Sequence, residues 1–404
     1  MKKSVLLPVF LVVFVDLLSF SLILPLMPYI AANYGLNPFF VGLLLATYPI
    51  GQVFGTPILG RLSDRFGRKP ILLLSVGGTF IALITLGLTL WLNPTGAILI
   101  IFATRLFDGL TGGNITVAQS YISDVTTPEN RAKGLGMIGA AFGLGFIFGP
   151  AMGGFMSQWG YQVPALFAAS LSFTNLVLIT AILPESLSVE TREKLRHSEK
   201  TKFSLRILKE ALDKPVVGPL LHSRVYYSIA HGIFQTIFAL YAQQRLNLNA
   251  AQTGLVLGYV GILVVIVQVG FIGKLTKKYT ETQLMRSSSL ILAMSYVLWA
   301  LAPNLIILMI VLIPISAASG ILNTVLRSAL TKSVSREEIG GILGLSSSLE
   351  SMTSIVTPIL GGFLVDSIGT WAPGIFSSIV TISLLWFIVR KVTEPKIQLS
   401  VESL

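Results

Sequence analysis

Along most of its length the chain runs apolar for roughly 20 residues, breaks for a few polar positions, and runs apolar again. "ILLLSVGGTFIALITLGLTLWL", "ALFAASLSFTNLVLITAIL" and "LILAMSYVLWALA" are examples. A helix that crosses a bilayer needs roughly 20 predominantly apolar residues. The spacing predicts twelve, at about 4–30, 37–59, 70–92, 96–123, 132–157, 162–184, 215–243, 251–272, 284–302, 304–330, 338–365 and 371–391. Turn signals punctuate the series: "NYGLNP", "LNPTG", "QWGYQ", "APN" and "DSIGTW". The first run passes Asp16 and continues to about Ile30 without a small-residue cleavage site. It is therefore expected to remain as a span rather than be removed as a signal.

Composition sharpens this into a class. Of 404 residues 53% are hydrophobic and only 12% charged, about half the charged share of a soluble domain. A net charge of +11 would suggest nucleic acid in a soluble chain. In a membrane chain basic residues hold cytoplasmic loops inside, and no nucleic-acid partner is expected. Lys2, Lys3, the charged stretch at 60–70, Arg131, Lys133, the loop from Glu185 to Lys214, Lys274, Lys277, Lys278, Arg286, Lys332, Arg336, Arg390 and Lys391 all fall on one side; Arg245 stands on the other. The crowded side is expected to be cytoplasmic, with both termini there and the chain multi-pass in the cell (cytoplasmic) membrane. The absence of cysteine excludes disulfides, thiolate chemistry and a Cys-based metal site. His197, His222 and His231 are too scattered for a metal cluster, so neither metal nor cofactor is expected.

The two halves echo each other. "GRLSDRFGRK" at 60 has a worn counterpart in "GKLTKKYTET" at 273, "PENRAKGLG" at 128 in "REEIGGILG" at 336, and "GPAMGGFM" at 149 in "TPILGGFL" at 357. The near-constant offset points to a duplication, and six-plus-six membrane folds usually alternate access around a site between the halves. The expected fold is all-α: twelve transmembrane helices in two pseudo-symmetric six-helix halves. The expected domains are an N-terminal bundle at 1–184, a cytoplasmic linker at 185–214 and a C-terminal bundle at 215–404. The linker ends in an amphipathic stretch (Phe203, Leu205, Ile207, Leu208, Leu212) suited to the membrane surface.

The motifs resemble the major facilitator superfamily over nearly the whole chain. "GRLSDRFGRKP" resembles its signature loop between helices 2 and 3, through Gly60, Leu62, Asp64, Arg65, Gly67, Arg68 and Lys69. "GMIGAAFGLGFIFGPAMGG" is similar to the helix-5 pattern of its drug–proton antiporters, with Gly136, Gly145, Gly149, Pro150, Gly153 and Gly154 in place. "RLFDGLTGG" resembles the helix-4 motif through Arg105 and Gly109, departing from it at Asp108, and "LPLMP" supplies the paired prolines Pro25 and Pro28. The combination resembles the twelve-helix branch that includes tetracycline-efflux pumps. The resemblance implies that the 60–70 loop latches the halves in the outward-open state, with Asp64 as its carboxylate and Arg68 pairing towards Asp124, near Arg131. A purely topogenic basic loop is the plainer alternative.

Ionisable groups inside spans are costly and so are functional candidates. On helix 4, Arg105, Asp108, Gly112, Thr116 and Gln119 share a stripe at helical spacing, with Asn114 beside it. Further stripes are Arg224, Ser228, His231 and Gln235 on helix 7; Ser316, Gly320, Asn323 and Arg327 on helix 10; and Ser346, Glu350, Ser354 and Thr357 on helix 11. In the superfamily helices 1, 4, 7 and 10 line the cavity, which implies that Asn114, Gln119, His231, Gln235, Asn323 and Arg327 face substrate. Asp16 or Asp108 is expected to carry the proton, with Arg105 displacing it. Glu350 is a third candidate, or else holds a cationic part of the substrate. Several plainer roles stay open: a static Arg105–Asp108 pair, Arg224 snorkelling to the interface, and His231 and the aromatics Phe142, Phe146, Phe234, Phe238 and Tyr259 as packing. The function these readings favour is a lipid-embedded exporter of a small amphipathic or drug-like molecule in exchange for protons, and the resemblance implies that it works as a monomer. A symporter or facilitator for a metabolite, sugar or lipid-like solute, and a non-transporting receptor or scaffold, are the rivals. An enzyme is not expected, and no "GxxxxGK[ST]" loop supports ATP-driven transport.

Overall fold

A computed structural model describes residues 6–188, 190–193, 205–335 and 338–392. Eleven of its helices are long and apolar enough to cross a membrane. They are α1 (Leu6–Asn33), α2 (Pro38–Phe66), α3 (Arg68–Leu92), α4 (Ala97–Val125), α5 (Pro128–Met156), α6 (Gln162–Ile182), α8 (Ala250–Lys278), α9 (Glu281–Leu301), α10 (Leu305–Lys332), α11 (Ile339–Ser367) and α12 (Ala372–Lys391). The twelfth, α7 (Val217–Leu246), is as long at 30 residues but carries His222, Arg224, His231 and Arg245. No strand occurs among the described residues. This is the expected all-α, twelve-helix membrane fold.

Several helices start where a side chain satisfies the free N–H groups of the first turn. Asn37 accepts from Phe40 N at 3.0 Å and Asn304 from Ile307 N at 3.0 Å. Thr280 and Gln283 form a reciprocal capping box at α9. The charged stretch at 60–70 is not a loop. Its residues continue α2 to Phe66, α3 begins at Arg68, and the whole turn is Gly67 at φ +107°. Only glycine adopts that angle at little cost, so the polar residues stay helical up to it.

Three spans are interrupted. α1 tightens to a 3₁₀ turn at Leu24–Leu26, around Pro25. α4, expected as one helix, breaks at Gly112 and Gly113 between Thr111 and Asn114. The backbone carbonyls freed there are met from neighbouring helices: Gln52 Nε2 donates to Gly112 O at 3.3 Å and Ser75 Oγ to Thr111 O. α8 widens to a π-helical turn at Val267–Phe271, a feature with no proline to announce it.

The packing divides the chain into two compact units, one of Met1–Lys200, Gln235–Ile262 and Ser354–Thr370, the other of Thr201–Phe234, Leu263–Thr353 and Trp371–Leu404. In the first, α1 packs on α5 and α6, α2 on α4, and α3 on α6. One core gathers Leu22, Ile30, Leu44, Leu86, Ala165 and Ile237; another gathers Val13, Leu17, Val76, Val117, Tyr121 and Ile179. In the second unit α9 packs on α10 and α12. Of the amphipathic stretch, Leu208 is buried within a helix spanning Leu205–Asp213, while Phe203 lies outside the described residues. Trp91, Leu99, Phe173, Ile306 and Trp386 stand out from the surface, as side chains do that meet acyl chains rather than water.

Candidate functional site

Three polar groups and one glycine seam bring together many, though not all, of the residues singled out in the sequence. The first group surrounds Arg68, whose guanidinium is held by Asp64 Oδ1 at 2.7 Å, Ser63 Oγ at 2.7 Å and Asp124 Oδ2 at 2.9 Å. Arg68, Asp64 and Asp124 are thus brought together. Arg131 reaches Ser123 O at 3.4 Å, and Arg65 lies over the Phe66 ring at 5.4 Å. Gly60 sits inside α2 with open space where a β-carbon would go, so no close approach requires it.

Sequence reasoning missed Glu185 in this group. It accepts from Arg68 N at 2.9 Å and Lys69 N at 3.2 Å, and so neutralises the N-terminus of α3. Its oxygens also take Ser186 N and Leu187 N, with Arg192 at 3.9 Å. The carboxylate meeting the helix end comes from beyond α6, whereas Asp64 pairs with Arg68. A proline-glutamate pair closing α6 was the available signal, but it read as one more acid in a mixed-charge linker.

The second group lies at the break in α4. Asn114 opens the second segment of that helix and donates to Asp16 of α1. One to two turns before the break, Arg105 Nη2 and Asp108 Oδ2 form a buried ion pair at 3.2 Å, and among the described residues Arg105 Nε finds no hydrogen-bond partner. Tyr48, packed on Phe20 with ring centroids 4.9 Å apart, puts its hydroxyl 2.8 Å from where a β-carbon on Gly112 would stand. Tyr48 was not foreseen, because nothing along α2 marks it out from the other aromatics. Thr116 and Gln119 are exposed beyond the break, whereas Arg105 and Asp108 are buried. The predicted stripe thus changes from buried to exposed across the break.

The third group joins α7, α10 and α11. Arg224 is not a snorkelling surface residue: its side chain is 3% exposed, with Nε on Glu350 Oε1 at 2.7 Å and Nη1 on Asn323 Oδ1 at 2.6 Å. Ser346 donates to Glu350 Oε1 at 3.2 Å, and Arg327 Nη2 approaches Oε2 at 3.5 Å. Glu350 is thus occupied by two guanidinium groups. His231 stacks on Tyr227 at 5.3 Å and meets the Tyr296 hydroxyl at 3.4 Å, within an aromatic cluster that includes Phe234 and Trp299. Gln235 is exposed one turn further on.

The glycine seam is on α5. β-Carbons on Gly149 and Gly153 would collide with α1 at Ser21 and Leu22, and one on Gly145 would lie 3.2 Å from Leu17 Cβ. Gly154 faces α8 instead, 3.1 Å from Gly254 Cα by the same measure, and Pro150 O lies against Gly254. Small residues permit this backbone-to-backbone packing. Gly136 has open space around it and takes no part.

The Major Facilitator Superfamily model matches residues 9–305 and 270–403 of the chain. Solute carrier family 22 member 18 of Rattus norvegicus is 31% identical over 378 residues, which is 93% of this chain and 90% of that protein. The class H tetracycline resistance protein of Pasteurella multocida is 32% identical over 386 residues, 92% of this chain and 91% of that protein. The crystal structure of a D-xylose-proton symporter superposes with a TM-score of 0.75 at 17% identity, covering 97% of this chain and 98% of that one.

Proposed function

The chain belongs to the Major Facilitator Superfamily and is a transporter; from that premise we propose that it exports a small amphipathic molecule in exchange for protons. The observation that carries the proposal is the group at the α4 break. Two buried carboxyl groups, Asp16 and Asp108, share their surroundings with one guanidinium, Arg105, inside a segment where each ionisable group is expensive to keep. A purely structural pair needs one acid and one base. The second acid, held by an amide rather than a cation, is free to gain and lose a proton as its access to water changes sides. The likeness to a tetracycline resistance protein supports an exported, drug-like cargo. The basic residues crowded on one side support a cytoplasmic placement of both termini, and the Arg68 group supports a latch on that side. The protein is read as a monomer in the cell membrane.

The test is proton movement in proteoliposomes with an imposed pH gradient, on adding tetracycline and a panel of lipophilic dyes. Compound-dependent proton movement that is lost in Asp16→Asn or Asp108→Asn is the expected result. Compound movement that ignores the gradient and is unchanged in both variants would overturn antiport and leave a facilitator.

A further inference from the structure

From the sequence Glu350 is a third candidate for the proton, or else a place for a positive group of the cargo. Its partners favour a cargo of the opposite sign. Arg224 and Arg327 share Glu350 as their common carboxylate, which leaves one positive charge over. The neighbouring acid on α9 does not cancel it, because Glu281 is taken by Lys332 at 2.8 Å and Ser328 at 2.6 Å.

The two arginines are not equivalent. Arg224 is buried with short bonds to Glu350 and Asn323. The Arg327 side chain is 57% exposed and touches Glu350 only at 3.5 Å. A guanidinium carries five N–H donors in a planar fork suited to a carboxylate or sulfonate, and most of that fork is open on Arg327. Its neighbours are a partly exposed carboxylate and a second arginine. Charge is costly against acyl chains, so such a cluster is suited to a water-filled space.

We infer that the cargo is an organic anion and that Arg327 on α10 receives its acidic group, displacing the weak contact to Glu350 that holds the side chain in its absence. Arg224 masks the Glu350 charge so that it does not repel the incoming anion. This rests on the transport reading and adds the charge class of the cargo to it.

The test uses the full chain purified in mild detergent and three probes of one shape: 2-naphthoate, naphthalene-2-sulfonate and naphthalene-2-yl-trimethylammonium. Dissociation constants come from the rise in unfolding midpoint with probe concentration at constant ionic strength. The two anions are expected to bind and the trimethylammonium probe not to bind. Arg327→Gln should weaken anion binding at least tenfold while leaving the unliganded midpoint in place, and Arg327→Lys should retain most of the affinity. Binding of the cation in preference to the anions, binding of no probe, or anion affinity unchanged in Arg327→Gln would each overturn the inference. No gradient enters this assay. Anion binding through Arg327 without proton movement in vesicles would therefore sink antiport alone, and proton-coupled transport of cationic dyes alone would sink the anion site alone.

Discussion

Replacing Glu350 by glutamine removes the charge that Arg224 faces while keeping the shape of the side chain. Arg224 is 3% exposed and bonds Glu350 at 2.7 Å. At an effective dielectric of about 20, unit charges roughly 4 Å apart attract by about 4 kcal/mol. Breaking a buried pair by removing one partner typically costs about 3–5 kcal/mol. The glutamine carbonyl can still accept one hydrogen bond, worth about 1 kcal/mol, and Asn323 still accepts from Nη1. The expected loss for Glu350→Gln is therefore about 3 kcal/mol. Arg327 offsets little of it, since an exposed partner contributes under about 1 kcal/mol. Arg224→Met should cost less, because Glu350, 29% exposed, can turn towards water and Arg327. The double variant should lie within about 1 kcal/mol of the parent, since a buried pair and a neutral pair of similar volume are often close in stability. The cycle then gives a coupling of about 2–3 kcal/mol. Unfolding in mixed micelles of mild and denaturing detergent, followed by tryptophan fluorescence, measures all four proteins. A Glu350→Gln variant as stable as the parent, or single losses that simply add in the double, would refute the reasoning.

Glu185→Gln should lower the unfolding midpoint by about 1–2 kcal/mol equivalent, because a charge at a helix N-terminus and its charge-assisted bonds to Arg68 N and Lys69 N are lost; the same micellar unfolding reads it. Tyr29→Phe removes the hydroxyl that bonds Thr253 Oγ1 at 2.5 Å and Leu248 O at 3.0 Å, a loss of about 1–3 kcal/mol. The chain has no native cysteine, so maleimide labelling of Ala251→Cys isolates the effect and should accelerate several-fold. Gly149→Ala should cost about 1–3 kcal/mol as overpacking against Ser21 and Leu22, whereas Gly136→Ala, in open space, should be neutral or slightly stabilising in the same melt. The Ser335 backbone N–H, with Lys214 beside it, holds the Glu338 carboxyl below its ordinary value of 4.5. A depressed carboxyl stabilises above its unfolded pKa and loses that contribution as pH falls through the folded value. Carbon-13 titration of Glu338 should give a midpoint below 4.5 that rises in Lys214→Ala.

The spans were legible because bilayer thickness imposes a length and a polarity that composition alone reveals. The pairing of Arg68 with Asp124 was legible only through a family pattern, since nothing in the spacing of residues 56 positions apart brings them together. The α4 break was half-visible: two adjacent glycines lie on the predicted helix, but glycine is common in membrane spans. What decides the outcome at Gly112 is whether Gln52 and Ser75 can satisfy the freed carbonyls. The π turn in α8 depends on packing with no sequence marker. Glu350 shows the limit most clearly. Its presence in a span was legible, but its partners come from two other helices, and the net charge of the site depends on them.

The polar groups at the α4 break and around Glu350 differ in charge balance. Around the α4 break two carboxyl groups face one arginine, and around Glu350 two arginines face one carboxylate. Each lies wholly within one of the two packing units. The surplus acid is suited to a proton and the surplus base to an anionic cargo, so the two tasks should separate by mutation. Asp16→Asn should abolish compound-dependent proton movement and leave naphthoate affinity within about twofold. Arg327→Gln should lower naphthoate affinity at least tenfold, while proton movement driven by a saturating anion keeps its stoichiometry per molecule carried. The converse pattern, in which Asp16→Asn weakens anion binding as strongly as Arg327→Gln does, would mean that a single site handles both charges and that proton and cargo compete for it directly.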